Sequence, residues 1–328
     1  MSEEFWKKKR VLITGYEGFV GSHLTGRLLA LGADVCGMDI ITRRKKTLLT
    51  LKELSLINVK KESLENYKAL YGIIRKNRIE IVFHLAAKAL VGECLKDPLD
   101  AFASNIQGTW NVLEACRQSN NVNCLIVASS DKAYGKQKLP YRENMPLQGQ
   151  HPYDASKSCG DILAQMYFHT YGLPVAVTRC GNIYGPGDFN FSRIVPDAVR
   201  CALLNKPFII RSDGKFTRDY IFVEDIVDGY VMLAEKFQKL DLAGEAFNFS
   251  DEKPLSVIEL VETIYQIAKR EPDYKILNEA ECEIKHQYLS SSKARKILGW
   301  KPRYNLMEGL EKTITWYKKN FENCKGKK

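Results

Sequence analysis

The chain has 328 residues, 45% hydrophobic and 27% charged, with a net charge of +10. That length buries a large core, and the near-average globular composition excludes a disordered, collagen-like or bare coiled-coil chain. The excess charge lies in residues 1–10 (+2), Arg43 to Lys46 (+4) and Lys318 to Lys328 (+4), so no basic stripe marks a nucleic-acid binder. Arg10 to Thr14 predicts a strand that stops at Gly15, and Val20 to Leu31 a helix. Asp34 to Ile40 follows as a strand, Asn58 to Glu62 stands at the third strand, Leu64 to Asn77 is a helix and Ile79 to Leu85 a strand. Asn105 to Ser119 carries a broad apolar stripe (Ile106, Trp110, Val112, Leu113, Cys116) and predicts a helix. Cys124 to Ser129 is a strand, Lys157 to Tyr171 a helix and Val175 to Cys180 a strand.

Strands alternating with helices in this way imply βαβ units and a parallel, doubly wound α/β sheet over residues 1–180. From Gly181 the pattern loosens. Helices are predicted at Ile194 to Leu204, Leu255 to Arg270 and Met307 to Phe321, with a strand at Phe208 to Arg211 and an ordered region from Tyr220 to Phe237. Residues 181–328 therefore read as a smaller, mixed α/β domain. No stretch of 18 apolar residues occurs, since Ile79 to Val91 is broken by Glu80, His84 and Lys88; a membrane span is excluded. The start, Met-Ser-Glu-Glu followed by Lys7 to Arg10, lacks an apolar signal core, so a cytoplasmic protein is expected. Nine cysteines without a CxxC pair imply reduced, mostly buried thiols and neither a disulfide framework nor a metal site.

The first strand runs into Gly15-Tyr16-Glu17-Gly18-Phe19-Val20-Gly21, which opens a helix. Such a turn brings backbone close to a pyrophosphate and presents helix N–H groups to it. Asp39, 18 residues beyond Gly21, ends the next strand, where a carboxylate takes a ribose 2′-hydroxyl and repels a 2′-phosphate. NAD is the expected cofactor. Arg43 and Arg44 keep NADP possible, because a guanidinium pairs with that phosphate. The third strand holds no Asp for an adenine contact.

Gly-x-x-Gly-x-x-Gly resembles the short-chain dehydrogenase/reductase superfamily, whose Rossmann-type fold the resemblance implies here. Tyr153-Asp154-Ala155-Ser156-Lys157 matches its Tyr-x-x-x-Lys pair. A phenol serves as a base near neutral pH only when a cation stabilises the phenolate, and Lys157 stands one helical turn on. The resemblance assigns the cofactor to Gly15, Gly18, Phe19, Val20, Gly21, Asp39, Ile40, Ala86, Ala87, Lys88, Tyr153 and Lys157.

Further segments resemble the extended branch that modifies nucleotide sugars: Phe83 to Ala87, Asn105 to Thr109, Arg179 to Pro186, Arg218 to Asp225 and Leu298 to Pro302. This resemblance implies a nucleotide-diphosphate hexose as substrate, touched by Asn182, Arg193, Arg218 and Tyr288. Ser130 matches the hydroxyl placed on the sugar's 4-oxygen. Asp131 matches the acid of 4,6-dehydratases, which protonates the departing 6-hydroxyl, while Lys132 stands where most of them have Glu. Asp-Lys resembles CDP-glucose 4,6-dehydratases, as do His84 to Val91, Tyr141 to Leu147 and Asp188 with Arg193 to Arg200. The resemblance thus implies water loss across C5 and C6 after transient oxidation at C4. A neutral Lys132 would be the C5 base, whereas a charged one would stabilise the enolate. The alternatives are a 4-epimerase using the same Tyr153 and Lys157, and a redox-inactive protein of this fold. Relatives pair the helices at 105–119 and 157–171 into a four-helix bundle, so a homodimer is expected.

Overall fold

The structure is a computed structural model that describes residues 2–42, 44, 47–279 and 284–320. Arg43, Lys45, Lys46, Cys282, Cys324 and the basic cluster beyond residue 320 lie outside the described residues. Strand β1 (Arg10–Thr14) shows why the sheet is covered twice. Val11 and Ile13 pack into one core and Leu12 into another, and all three are fully buried. Alternate residues of a strand point to opposite faces, so a continuous apolar run needs a layer on each side.

β2 (Asp34–Asp39), β3 (Asn58–Lys61), β4 (Ile81–His84), β5 (Cys124–Ala128), β6 (Val175–Cys180) and β7 (Ala246–Phe249) complete a seven-stranded sheet. Its order is β7-β6-β5-β4-β1-β2-β3, and every neighbouring pair is parallel. The order reverses between β1 and β4, the switch point outside which doubly wound sheets bind ligands at their carboxyl ends. One face is covered by α1 (Phe19–Ala30), with Leu24 and Leu28 in the core. On the other face lie α2 (Tyr67–Lys76), α3 (Gly108–Arg117) and α4 (Pro152–Tyr171), through Leu70, Val112 and Ala164 among others. A third core joins α5 (Ile194–Leu204), α7 (Val257–Ala268) and α8 (Leu306–Lys319). Between α5 and α7 in the chain, α6 (Val223–Lys236) returns to the first face beside α1.

The fold is the expected Rossmann-type sheet with a smaller mixed layer, but the chain does not part at residue 180. β7 and α6 come from the second half and close the sheet edge and one face. β7 was not expected: Ala-Phe-Asn-Phe has no β-branched residue, and its buried Asn248 interrupts the apolar run. α4 begins five residues earlier than Lys157, because Pro152 fits the first helical turn, where its missing N–H is not needed. The helix expected from Asn105 opens instead with a π turn, Ala103–Gln107, continuous with α3. Five of the seven described cysteines are buried and all seven are unpaired. No described helix is long and apolar enough to cross a membrane.

Arg179 on β6 and Asp161 on α4 form a bidentate pair at 2.7 and 2.9 Å, with both side chains almost fully buried. The same guanidinium donates to Tyr134 Oη and to the Glu143 carbonyl. Removing one partner strands the other charge in a dry environment. Asp161→Ala therefore lowers unfolding free energy by about 3–5 kcal/mol, read from urea denaturation midpoints.

Candidate active site

The carboxyl ends of β1 and β2 and the turn after β1 build one half of the site. Gly15 has φ +73°, and a Cβ there would lie 3.0 Å from the Ala86 backbone. A Cβ on Gly21 would stand 2.0 Å from the Gly15 carbonyl oxygen. Only glycine permits this close passage of turn, helix and neighbouring strand end. Gly18 caps α1 without a side chain, so no side-chain oxygen occupies the N–H groups at Phe19 and Val20. That uncapped, positive helix end suits a phosphate. The Asp39 carboxylate accepts the Ile41 N–H at 3.1 Å and the Arg44 guanidinium at 3.1 Å on each oxygen. Ile40, next to it, is half exposed. Pyrophosphate at the turn and ribose at Asp39 together fit a dinucleotide.

A buried polar chain locks β1, β4, α3 and α4 together beside this turn. Thr14 Oγ1 accepts the Ala86 N–H at 3.2 Å and lies 2.9 Å from His84 Nδ1. His84 Nε2 lies 3.1 Å from Thr109 Oγ1. Burial pushes this imidazole down to about 3, so it is neutral and links two hydroxyls. Asn105 continues the chain. Its Oδ1 accepts the Lys88 N–H at 2.7 Å, and its Nδ2 donates to the Lys88 carbonyl at 3.0 Å and to Ser156 Oγ at 2.9 Å. Ala86, Ala87 and Lys88 are thus held as one fixed segment, with the Lys88 ammonium on Asp100 at 2.7 Å.

Tyr153 and Lys157 share one face of α4. Lys157 Nζ donates to the Ala128 carbonyl at the end of β5 at 2.8 Å, and burial lowers it to about 8. Desolvation pushes the Tyr153 phenol above its ordinary value, while a hydrogen bond with Ser130 and the charge of Arg193 pull it down. Asp131 and Asp154 push it up again. The Ala128 carbonyl takes one of the three N–H donors of this ammonium.

Ser130 caps the short 3₁₀ turn Asp131–Tyr134, accepting the Lys132 N–H at 3.2 Å and donating to Asp131 Oδ1 at 2.9 Å. Asp131 is buried, and its Oδ2 has no partner among the described residues. Lys132 Nζ stands 4.0 Å from Asp131 Oδ1. Ser130, Asp131, Lys132, Tyr153 and Arg193 therefore form one cluster. Arg193 also donates to Asp188 at 3.0 Å from its place before α5. Arg218 lies on a short strand, Thr217–Arg218, with its guanidinium on the carbonyls of Thr217 (2.9 Å) and Lys285 (3.1 Å). The Tyr288 carbonyl accepts the Tyr141 N–H at 3.0 Å, and the Tyr141 phenol feels both Asp131 and Arg218. Asn182, half-buried, donates its N–H to the Asp219 carbonyl at 3.2 Å.

Asp219 was missed as part of the site. It neighbours Arg218 in sequence and is fully buried. Its Oδ2 accepts the Ser250 hydroxyl and the Leu289 N–H (3.3 Å), and its Oδ1 has no partner among the described residues. Asn105 was expected at a helix start and within a family-like segment, with no role of its own. A polar residue inside an apolar stripe was the available signal for its role.

A family model described as GDP-mannose 4,6 dehydratase matches residues 12–313. The chain belongs to that family. Within it the chain is an extended short-chain dehydrogenase/reductase of the nucleotide-sugar 4,6-dehydratase and 4-epimerase kind. It is 30% identical to a CDP-glucose 4,6-dehydratase of Salmonella typhimurium, over 97% of this chain and 93% of that one. It is 31% identical to a UDP-glucuronate 4-epimerase of Thermodesulfobacterium geofontis, over 96% and 98%. It also resembles the solved UDP-glucuronic acid 4-epimerase of Bacillus cereus with UDP-glucuronic acid and NAD, with a TM-score of 0.86 and 26% identity over 95% and 99% of the two chains.

Burial and the neighbouring charge of Asp131 raise the Asp219 carboxyl to about 7. Between the ordinary 3.8 and 7 the folded state holds a proton that the unfolded state has released, so stability falls as pH rises through that window. Relative to Asp219→Asn, the parent protein loses stability from pH 4 to pH 7 and stays level above it, as urea unfolding across that range will show.

Proposed function

We propose that this family member oxidises C4 of a nucleotide-diphosphate hexose and returns the hydride within one turnover, as an NAD-dependent nucleotide-sugar 4,6-dehydratase. The observation that carries the dehydratase reading is Asp131: a buried carboxylate with one open oxygen, hydrogen-bonded through Ser130 to the Tyr153 phenol. Arg218, Arg193, Asn182 and Tyr288 are assigned to the nucleotide diphosphate, for which the guanidinium forks suit phosphate oxygens.

Tyr153 Oη takes the proton of the 4-hydroxyl. A bound NAD, which the Gly15 to Gly21 turn and Asp39 would hold, would supply the hydride acceptor for C4 and the donor for C6. Asp131 is assigned the proton that goes to the departing 6-hydroxyl, which leaves as water. Lys132 Nζ is assigned the C5 proton, made acidic by the 4-ketone, which it takes and returns to C5. The proton left on Tyr153 then reaches Asp131 through Ser130, which is bonded to both side chains. Protons balance, and the product is the 4-keto-6-deoxy sugar plus water. Within the proposal, the Asp131–Lys132 pair supports CDP-glucose as substrate.

A second reading, a 4-epimerase, needs Tyr153 and Lys157 but neither Asp131 nor Lys132. The comparisons favour it: the relative with the higher identity and the solved neighbour described above are both 4-epimerases. Incubation with a panel of nucleotide hexoses and mass analysis separates the two. Dehydration gives a product lighter by one water, and epimerisation leaves the mass unchanged. Tyr153→Phe lowers turnover by about 10²–10⁴ in either case. Asp131→Asn abolishes water loss while C4 oxidation persists; unchanged dehydration by that variant removes the acid from Asp131.

The proposal extends to assembly as a homodimer. α3 and α4 pack side by side and expose Trp110, Ile162 and Met166. Such large apolar side chains on adjacent helices suit burial against a second copy. Ile162→Glu converts the dimer to monomer in sedimentation, and a monomeric parent protein refutes the assembly.

A further inference from the structure

Lys132 Nζ stands 4.0 Å from Asp131 Oδ1, beyond hydrogen-bond reach, although the two residues are neighbours in one turn. Asp131 Oδ2 meanwhile is buried with no partner among the described residues. A head group on a flexible four-carbon stem is expected to close on so costly an oxygen. A pull from another negative charge accounts for the gap.

Asp154 supplies that charge. It is the third residue of α4, where the positive end of the helix favours a carboxylate. A carboxylate serving only that end can face solvent, yet Asp154 is 5% exposed and its Oδ1 has no partner among the described residues. Its backbone is fastened to the turn that carries Lys132: the Ser158 hydroxyl lies 3.0 Å from the Asp154 carbonyl and 2.9 Å from the Ala133 carbonyl. A Cβ on Gly149 would stand 2.3 Å from the Asp154 carbonyl carbon, so the loop before α4 closes over it. Burial pushes the Asp154 carboxyl up. Lys132 pulls it down, followed by His151 from that loop, and Asp131 pushes it up. Those three groups, from the turn and the loop, are the charges that face it.

We infer that Asp154 is a positioning residue that shares Lys132 Nζ with Asp131, and so keeps Asp131 Oδ2 free for a hydroxyl of the sugar. The second half of this inference rests on the dehydratase reading. Acylation of Lys132 by acetic anhydride, read by peptide mass spectrometry on the full chain without substrate, tests the sharing in a double-mutant cycle. Asp154→Asn alone changes the Lys132 rate less than about twofold, since Asp131 takes Nζ over. In an Asp131→Asn background, adding Asp154→Asn raises that rate at least about fivefold, whereas Asp154→Glu in its place does not. Lys236, whose Nζ donates to the Leu298 carbonyl, keeps its parental rate throughout. Equal Lys132 rates in Asp131→Asn and the double variant overturn the inference. So does a rise shared by Lys236, since Asp154 would then only hold the fold. In a parent protein that dehydrates, Asp154→Asn lowers kcat for water loss about tenfold with KM unchanged and C4 oxidation intact, because Lys132 closes on Asp131. Unchanged water loss in that variant overturns the inference. A parent protein that releases no water while the labelling cycle holds overturns the dehydratase reading and leaves the sharing of Lys132 standing.

Discussion

The arrangement depends on one buried amide. Asn105 satisfies the backbone of Lys88 on both its N–H and its carbonyl and reaches Ser156 on the catalytic helix. Its own carbonyl accepts the Thr109 hydroxyl at 2.6 Å, and Thr109 meets His84. The segment Ala103–Gln107 that carries Asn105 is a π turn. Such bulges are uncommon and cluster where a side chain must be placed against its helix's natural register. A few hydrogen bonds thus fix the separation between the glycine turn, the end of β4 and the helix that carries Tyr153 and Lys157. Left unmade in this dry setting, each would cost roughly 1–3 kcal/mol, which makes the geometry stiff.

Within that frame, desolvation sets the chemistry more than any single ion pair. The phenol of Tyr153, the ammonium of Lys157 and the carboxyl of Asp219 are all pushed toward their neutral forms by burial. Opposing charges are few and off to one side: Arg193 acts on the phenol, and Asp131 acts against both it and Asp219. Burial thus holds the proton on the phenol, while Lys157 at about 8 and Asp219 at about 7 lie where protons exchange near neutral pH. The same burial keeps the phenol neutral with the Lys157 ammonium one helical turn on and donating to the Ala128 carbonyl.

Much of this was legible in the amino-acid order. β1, β2, β6 and α5 fall within one residue of the expected spans, because each is a short apolar run ended by Gly, Asp, Cys or Asn in a clear context. The glycine turn and the Tyr153–Lys157 spacing are local, so neighbouring residues reveal them. What escaped was non-local. β7 has weak strand character and exists because its edge of the sheet needs a partner; Asn248 in its middle is paid for by Tyr134, Tyr141 and Ser290 across the fold. Asp219 is buried next to a half-buried Arg218, because alternation along an extended segment sends neighbours to opposite sides. The Asp39–Arg44 contact was visible only as two charged types five residues apart, with no way to tell from spacing that they touch.

The remaining choice between losing water and inverting a carbon turns on a two-residue difference in a four-residue turn. Sheet, glycine loop, Tyr153 and Lys157 serve both outcomes, so overall likeness to one enzyme or another weighs little on this point. An epimerase must let the ketone swing so that its other face meets the hydride, which calls for room and few contacts near the 6-position. A dehydratase must do the reverse and hold the 6-hydroxyl against an acid. Asp131 is buried, capped by Ser130 and left with one oxygen open. Burying a carboxylate without a donor on that oxygen is costly, and such a cost persists in folded proteins where function requires it. A sugar hydroxyl is the natural partner for that oxygen. The argument for water loss therefore rests on local chemistry at one atom, against a global resemblance that leans the other way.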